Sequence, residues 1–284
     1  LIEQLNQAIL QEAVQGKLVP QDPNDEPASE LLKRIKMTRV GFQPDPNEKI
    51  GLKPNPSAIN RAGFKPRPKK ELPPIKPEEI PFDIPDNWVW CRLGEICSKI
   101  TDGFHNTPPK VAEGFPYIAA THVKSDKIDW DGCNYVSEKF HRELYLKATP
   151  KKGEILVVNI GAGCGTPAII DVDFEFSFKN TAILKFDQSE IYNKYIFYYF
   201  ILKRDEFYKD LTKGGLQPFL SLKILNEIVF PLPPLSEQKR IVAEIEKQLA
   251  KTKQLKELVL ANQAATEQLL KALLHEVFEV KEKD

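Results

Sequence analysis

Residues 228–249 read IVFPLPPLSEQKRIVAEIEKQL, and in this stretch a run of prolines passes directly into a long helical pattern. The prolines cannot continue a helix, whereas Ser236 is a favourable N-cap residue. Neither Gly nor Pro occurs after Ser236 in the sequence. We therefore predict one helix over residues 236–280, roughly 65 Å long at 1.5 Å per residue.

This predicted helix is amphipathic and has a polar middle. Its apolar residues at helical spacing are Val242, Ile245, Leu249, Leu255, Val259, Leu269, Leu273 and Val277, and the polar middle contains Lys256, Asn262, Gln263 and Thr266. A helix of this length and pattern is not stable alone and needs a partner helix. The sequence therefore predicts a coiled-coil spacer over residues 236–284.

The two ends of the chain resemble each other. Residues 3–14 align without gaps to residues 267–278, and six of the twelve positions are identical. We interpret the chain as one period of a repeat, which consists of a helix tail, a linker, a globular domain and a long helix. Two such units with antiparallel long helices would hold their globular domains at opposite ends of a spacer, an arrangement that suits two separated half-sites. Chance similarity between two short Glu/Gln/Leu/Ala helices is the alternative.

The first 80 residues divide into two segments. Residues 1–35 are predicted to form an amphipathic helix over 1–16 that pairs with the long helix, followed by a short helix over 29–35. Residues 36–80 form a proline-rich basic linker, and a unit G-[FL]-x-P-x-P recurs there at 41–46, 51–56 and 63–68. Proline favours polyproline or irregular structure because it cannot donate ladder hydrogen bonds. An extended tether and a phosphate-contacting arm are both open interpretations.

Residues 81–235 carry the pattern of an α+β domain. Strands are predicted over 88–90, 117–120, 154–159, 167–172 and 181–186, and helices over 192–207 and 221–227. The predicted fold class is α+β, with a mixed, β-rich domain containing short helices, joined to a long coiled-coil helix and a short N-terminal helix.

Composition restricts the possible functions. Lys and Arg together number 40, and so do Asp and Glu, so the net charge is zero. This balance does not favour a free-standing strong DNA binder, because binding phosphates needs an excess of basic residues. It is compatible with a chain that reads bases while a partner neutralises the phosphates. No signal peptide or apolar run of membrane-spanning length is visible. The cysteines, Cys91, Cys97, Cys133 and Cys164, form no CxxC pair. We expect no zinc site, and free thiols in a reducing cytoplasm.

Several phrases resemble the specificity subunits of type I restriction-modification systems. The strongest is GGLQPFLS at 214–221 followed by residues 228–242, and further matches are TDGFHNTP at 101–108, QGKLVP at 15–20 and IPFDIP at 80–85 with Trp88 and Trp90. The resemblance implies that residues 81–235 are a target recognition domain that reads double-stranded DNA. It implies DNA methyltransferase (modification) subunits and restriction/translocase subunits as partners, which would hold the catalytic centres.

Size is the departure from the family. Its members usually carry two recognition domains and two long helices, whereas this sequence has one of each. The chain is either a half-size subunit, which we expect to form a homodimer through antiparallel long helices, or a fragment of a longer subunit. It begins with Leu1 rather than Met.

Four loops supply the candidate DNA-binding residues, because their side chains and backbone amides suit base edges or phosphates. They are Lys99, Thr101, Asp102, His105, Asn106, Thr107 and Lys110 in the first; His122, Lys124 and Ser125 in the second; Lys179 and Asn180, which we place at the start of a strand, in the third; and Lys213, Gly214 and Gln217 in the fourth. Ordinary structural turns are the alternative for each loop.

No catalytic motif is evident. The glycine cluster at 159–165 resembles a cofactor loop, but a proline and another strand follow it instead of a helix, so a tight turn between strands is the better interpretation. The histidines lack metal-ligand spacing. We expect no cofactor in this chain, with S-adenosylmethionine, ATP and Mg²⁺ confined to partner subunits. The competing hypothesis is a structural adaptor that oligomerises through its long helix and binds protein through its domain.

Overall fold

The computed structural model describes residues 1–41, 72–104, 107–125, 127–212 and 217–279. The proline-rich repeat units lie outside these ranges apart from Gly41. The helices are α1 (Ile2–Val14), α2 (Ala28–Gly41), α3 (Leu93–Ile96), α4 (Glu138–Ala148), α5 (Asn193–Leu211), α6 (Leu222–Glu227) and α7 (Leu235–Glu279). The strands are β1 (Val89–Arg92), β2 (Lys99–Asp102), β3 (Phe115–Ala119), β4 (Asn134–Val136), β5 (Ile155–Val158), β6 (Pro167–Ile169), β7 (Ser177–Lys179), β8 (Thr181–Lys185) and β9 (Val229–Leu232). Short 3-10 helices cover Pro77–Glu79 and Ala120–His122.

The strands of the described part form three sheets. β2, β8, β5 and β6 make an antiparallel four-stranded sheet in that order. β4, β3 and β7 make a three-stranded sheet in which β3 and β7 run parallel. β1 and β9 form an antiparallel pair in which Trp90 lies opposite Pro231. A proline is tolerated there because each strand of a two-stranded pair is an edge strand.

The central strands of the four-stranded sheet are buried on both faces. All four residues of β5 are buried. Ile155 and Val157 belong to one hydrophobic cluster, and Leu156 and Val158 to another, as the two-residue period of a strand requires. This burial explains why β5 reads as a continuous apolar run rather than an alternating pattern.

One cluster joins the N-terminal helices to the domain core. Ile9 and Val14 of α1, Leu31 of α2, Tyr195 of α5 and Ile241 of α7 are all buried in it. The predicted pairing of the N-terminal helix with the long helix is confirmed, since Thr252 of α7 also donates a 2.7 Å hydrogen bond to Asn6 Oδ1 of α1. The start of α7 is therefore fixed to the folded domain through α1 and α5.

The proline-rich entry to α7 is locked by buried polar contacts. Gln238 is fully buried, its Nε2 donates to Pro233 O (3.0 Å), and its Oε1 accepts from Tyr192 N (2.9 Å). Arg240 donates to the two carboxylate oxygens of Asp25 through its terminal guanidinium nitrogens Nη2 and Nη1, at 2.6 and 3.2 Å. This S-E-Q-K-R phrase therefore clamps the N-terminal segment and α5 onto the first turns of α7.

Ser236 was predicted as the N-cap, and this prediction is wrong. The helix begins one residue earlier, at Leu235, and the hydroxyl of Ser236 donates to Asp25 Oδ1. The backbone N–H of Gln238 donates to Pro234 O (2.9 Å), which shows that the helical hydrogen bonding already starts at Pro234. Proline is compatible with a helix start, because it needs no intrahelical N–H partner there.

The second half of α7 is uncovered. Every residue from 253 to 278 is exposed, including large apolar residues. These residues are Leu255, Leu258, Val259, Leu260, Leu269, Leu270, Leu273, Leu274, Val277 and Phe278, with exposed fractions between 42% and 63%. The described part of the chain offers no packing partner for this half of the helix.

Three further details differ from or refine the predictions. The short helix predicted over 29–35 continues to Gly41; Lys36, Met37 and Arg39 are good helix formers, and Lys36 forms a 2.6 Å ion pair with Glu95. Thr101 and Asp102, expected on a loop, are the last residues of β2. The four cysteines are free, as predicted; Cys91, Cys97 and Cys164 are buried and Cys133 is partly exposed.

Candidate nucleic-acid interface

Strand register brings distant loops together at one edge of the domain. Asp102 at the end of β2 lies opposite Ala182 of β8, and Val158 at the end of β5 lies opposite Thr181. β3 and β7 run parallel and end side by side at Ala119 and Lys179. The segments that follow β2, β3, β5 and β7 therefore converge on the turn between Lys179 and Thr181.

A cavity of about 370 Å³ opens at this convergence. Its lining residues are Thr107, Lys110, Tyr117, Ala119, Ala120, Thr121, His122, Asn134, Lys179 and Asn180. Five of the predicted DNA-binding residues, Thr107, Lys110, His122, Lys179 and Asn180, come from three separate loops and meet here. None of the lining residues is acidic, and two are lysines, so the cavity suits a negatively charged or hydrogen-bonding ligand.

The Lys179–Thr181 turn organises the cavity wall. Lys179 was expected to begin a strand, but it ends β7, and Thr181 begins β8. Asn180 between them has φ +56°, in the left-handed region that Asn adopts more readily than most residues. The ammonium group of Lys179 donates to Thr107 Oγ1 and so ties the loop after β2 to this turn.

His122 lines the cavity but has a structural role. Its Nδ1 accepts from the backbone N–H of Ala119 (2.8 Å), and its Nε2 lies 2.9 Å from Gly132 O. Nδ1 can accept only when it is unprotonated, so the proton sits on Nε2 and is donated to Gly132. Both ring nitrogens are thus engaged, and His122 supplies the cavity with ring surface rather than a free polar atom.

Other predicted residues lie around the cavity rather than in it. Lys124 and Ser125 are exposed just after the 3-10 helix that follows β3, and Lys124 Nζ donates to Thr121 O (2.6 Å). Lys99 begins β2, about 10 Å along the strand from Asp102, and donates to Lys147 O (2.7 Å). Thr101 is buried.

Asp102 is engaged by a lysine from α4. Lys147 Nζ lies 2.8 Å from Asp102 Oδ1, 3.2 Å from Gly103 O and 5.6 Å from the centre of the Phe104 ring. The carboxylate therefore positions Lys147 and the start of the loop after β2. Four predicted residues, His105, Asn106, Lys213 and Gly214, lie outside the described residues.

The glycine cluster after β5 is a tight turn between β5 and β6, as predicted. Gly161 and Gly165 have φ values of +87° and +88°, and Cys164 N donates to Gly161 O (2.9 Å). Leu220 N donates to Asn159 O (2.8 Å), so the segment containing Gln217 packs beside this turn. Gln217 is exposed at this edge of the domain.

Sequence reasoning missed Tyr117 and Asn134. They lie directly opposite each other on β3 and β4 and both line the cavity. Tyr117 is 2% exposed, its Oη has no hydrogen-bond partner among the described residues, and burial raises its pKa to about 12. Tyr117 was predicted only as part of an apolar strand, and no local pattern distinguished its hydroxyl from a core residue.

A second cleft, of about 530 Å³, has different chemistry. It is lined by Phe115, Pro116, Trp130, Asp131, Cys133, Tyr135, Phe174 and Glu175. Its exposed carboxylates would repel a phosphate backbone, although it is larger than the lysine-lined cavity. We therefore assign the candidate nucleic-acid interface to the cavity that contains Lys110 and Lys179.

Neither a metal-binding cluster nor a membrane-spanning helix is found among the described residues. No group of three or more His, Cys, Asp or Glu side chains there is arranged to hold a metal ion. No helix in the same part of the chain is both long and apolar enough to cross a membrane.

Comparisons with known proteins agree with the family resemblance. The family model described as type I restriction modification DNA specificity domain matches residues 85–262. The specificity subunit of the type I restriction enzyme EcoAI from Escherichia coli is 28% identical over 267 residues, which are 91% of this chain and 41% of the relative. The corresponding subunit of EcoEI, also from Escherichia coli, is 30% identical over 257 residues, 86% of this chain and 40% of the relative.

The fold also has a solved counterpart. A chain from the structure described as "Structural basis underlying complex assembly and conformational transition of the type I R-M system" matches with a TM-score of 0.51 and 19% identity. The match covers 94% of this chain and 54% of that chain, and supports the α+β fold with its long helix. The chain spans about two fifths of the length of the curated relatives it matches.

Proposed function

The chain belongs to the type I restriction modification DNA specificity domain family, and from this premise we propose that it recognises double-stranded DNA by sequence. The observation that carries the proposal is the acid-free cavity where Lys110, Lys179, Thr107, Asn134 and Asn180 converge. A family match alone would not say where on the domain DNA binds, and the convergence of separate loops supports this cavity as the proposed location.

The residues at the cavity suit two kinds of DNA contact. Lys110 and Lys179 carry charge and suit phosphates, which position a protein on the duplex without reading sequence. Asn134 and Asn180 carry amides that both donate and accept, so each suits a base edge, and Asn pairs well with adenine. The neutral net charge fits a chain that reads bases while partner subunits contribute further phosphate contacts.

Selection from a randomised duplex library tests this function. The full chain is immobilised, bound duplexes are amplified over several rounds, and the enriched pool is sequenced. We expect a defined motif, bound roughly 10³-fold more tightly than a shuffled duplex of the same composition. No enrichment, with equal affinity for all duplexes, would overturn the proposal.

We propose further that methylation and cleavage reside in partner subunits. DNA methyltransferase subunits would bind S-adenosylmethionine, restriction/translocase subunits would bind ATP and Mg²⁺, and this chain would bind none of these cofactors. The two curated relatives are named as specificity subunits of restriction enzymes, which supports this division of labour. Methyl transfer to the selected duplex should require both this chain and the methyltransferase subunits.

The uncovered half of α7 supports a homodimer through antiparallel long helices. In the alignment of residues 3–14 with 267–278, Ile9 and Leu10 correspond to Leu273 and Leu274. Ile9 and Leu10 of α1 are buried, whereas Leu273 and Leu274 of α7 are about half exposed. Ten large exposed apolar residues on one helix exceed what a lone surface helix carries. A second copy would cover them and place two recognition domains on two half-sites.

A further inference from the structure

The aromatic cleft is not used by the proposed function. Trp130 lines it and packs edge-to-face against Phe174, with the ring centres 5.2 Å apart. Phe174 and Tyr135 remain 49% and 39% exposed, although both are large aromatic side chains. Exposed aromatic side chains around a concave surface are typical of a binding site rather than of a solvated loop.

Carboxylates surround this cleft. Asp131 and Glu175 line it, and Asp129, Asp171 and Asp173 lie in the same two segments, 129–131 and 171–175. Asp171 accepts a 2.8 Å hydrogen bond from Trp130 Nε1, which fixes the indole plane, and Asp173 forms an ion pair with Lys152. Glu175 Oε2 lies 3.1 Å from His141 Nε2, so Asp131 is the lining carboxylate for which the described residues show no ion pair. Aromatic faces beside carboxylates attract cationic side chains through cation–π and ionic interactions. Such a cleft selects a basic ligand and repels DNA.

The same chain contains a segment with complementary chemistry. Residues 51–70 carry six cations, Lys53, Arg61, Lys65, Arg67, Lys69 and Lys70, and no Asp or Glu. The segment also carries four prolines in two of its G-[FL]-x-P-x-P units. Aromatic-lined grooves bind proline-rich peptides because these lose little conformational entropy on binding.

We propose that the cleft around Trp130 is a docking site for the basic proline-rich segment 51–70 of the same chain. The prolines would stack on Trp130, Phe174 and Tyr135, and the lysine and arginine side chains would face Asp131 and Glu175. The interaction holds the linker on the recognition domain, on a surface separate from the lysine-lined cavity. It does not depend on the proposed DNA recognition.

The chain is long enough for this contact. The described residues flanking the gap, Gly41 and Leu72, are joined by 30 residues, which extend to roughly 90 Å at 3.1 Å per residue in a polyproline conformation. A domain of about 150 residues has a radius of gyration near 15 Å. Pro54 and Pro56 lie 13 and 15 residues from Gly41 and 18 and 16 residues from Leu72, so the first unit of the segment can move roughly 40 to 55 Å from either end, whereas the second unit at 63–68 stays within nine residues of Leu72. At the millimolar effective concentration of a tethered segment, even a weak contact is populated.

Peptide titration tests the proposal. The probe is a synthetic peptide of residues 51–70, and the acceptor is the full chain in which residues 51–70 are replaced by a Gly/Ser sequence of equal length. We expect the peptide to bind this acceptor and quench its tryptophan fluorescence, and to bind the unaltered chain at least about tenfold more weakly, because the tethered segment competes. The Trp130→Phe variant of the acceptor should lose the fluorescence change.

Matched controls separate the cleft from general charge attraction. Asp131→Lys in the acceptor should weaken peptide binding several-fold, whereas Asp83→Lys, at an exposed position outside the cleft, should not. A peptide with the four prolines replaced by alanine keeps its charge and should bind more weakly. Three results would overturn the proposal. The peptide could bind both chains equally, or the two charge reversals could have equal effects. In the third, Gly/Ser replacement would lower DNA affinity while the peptide does not bind the acceptor. The last result would make the segment a phosphate-contacting arm.

Discussion

Lys110 and Lys179 are the lysines of the cavity, and their charge makes a prediction about salt. Each phosphate contact that is lost lowers the steepness of the salt dependence of DNA affinity by about one unit. We expect Lys110→Gln to weaken binding to all duplexes similarly and to reduce the log–log salt slope by about 1. Fluorescence anisotropy at several salt concentrations measures this slope.

Lys139→Gln is the matched control, because Lys139 is exposed on α4 and does not line the cavity. Its salt slope should equal that of the unaltered chain. If Lys110→Gln leaves the slope unchanged, or if the control shifts it equally, Lys110 does not contact phosphate.

The hydroxyl of Tyr117 makes a prediction about stability. It is buried and lacks a hydrogen-bond partner among the described residues, and an unsatisfied buried polar atom is costly. Tyr117→Phe keeps the ring and removes only that atom, so we expect the free energy of unfolding to rise by about 1 kcal/mol. Urea denaturation measures it. Tyr135→Phe, at a half-exposed position on the neighbouring strand, should change stability little.

A lower stability for Tyr117→Phe would mean that the hydroxyl is satisfied in solution. An ordered water in the cavity or a residue outside the described ranges would then be its partner.

At the scale of elements, the Asp25–Arg240 contact fixes the start of α7 against the N-terminal segment. The hydrogen bonds from Arg240, together with those from Ser236, hold the pKa of Asp25 below its usual value of 3.8, and burial opposes them. A carboxyl whose pKa is lower in the folded state stabilises the protein above its unfolded-state pKa. That stabilisation is lost as the pH falls through the folded-state value.

Asp25→Asn should therefore lower the free energy of unfolding by about 2 kcal/mol at neutral pH, because the charged hydrogen bonds are lost. The difference from the unaltered chain should stay constant above about pH 5 and shrink below pH 4. Thermal or urea unfolding across this range measures it. Asp83→Asn, at an exposed position, is the control and should show no such difference. If Asp25→Asn lowers the free energy of unfolding by the same amount at every pH, the assigned ionic contact is wrong.

The elements that the sequence predicts well are those with strong local patterns. β5 and β8 are apolar runs bounded by turns, and α5 and α7 are long enough for their period to be unambiguous. The short strands β4 and β7 were missed, because Asn-Tyr-Val and Ser-Phe-Lys become strands only through pairing with β3. Helix α4 was missed although Ser137 precedes an amphipathic stretch there, so a signal was available.

The candidate site shows the same limit. The loops were chosen from residue chemistry, and three of them do meet in one cavity. Their meeting depends on the parallel pairing of β3 with β7, whose residues are about sixty positions apart in the sequence. Hydrophobic pattern does not specify such a non-local register, so Tyr117 and Asn134 could not be placed beside Lys179 without the structure.

At the scale of the whole molecule, the uncovered half of α7 predicts self-association. We expect light scattering of the full chain to give about twice 32.4 kDa. The double substitution Leu269→Lys with Leu273→Lys should give the monomer mass, because charges would enter the helix interface. Lys271→Gln on the same stretch should leave the dimer intact. A monomeric unaltered chain would contradict the homodimer.

Amide hydrogen exchange with and without the selected duplex shows where DNA binds on the molecule. We predict that DNA slows exchange in the segments that surround the cavity, at 102–110, 119–125 and 177–181, and leaves the Trp130 cleft at 129–131 and 171–175 unchanged. Protection confined to that cleft or to α7, with none at the Lys179–Thr181 turn, would contradict the account.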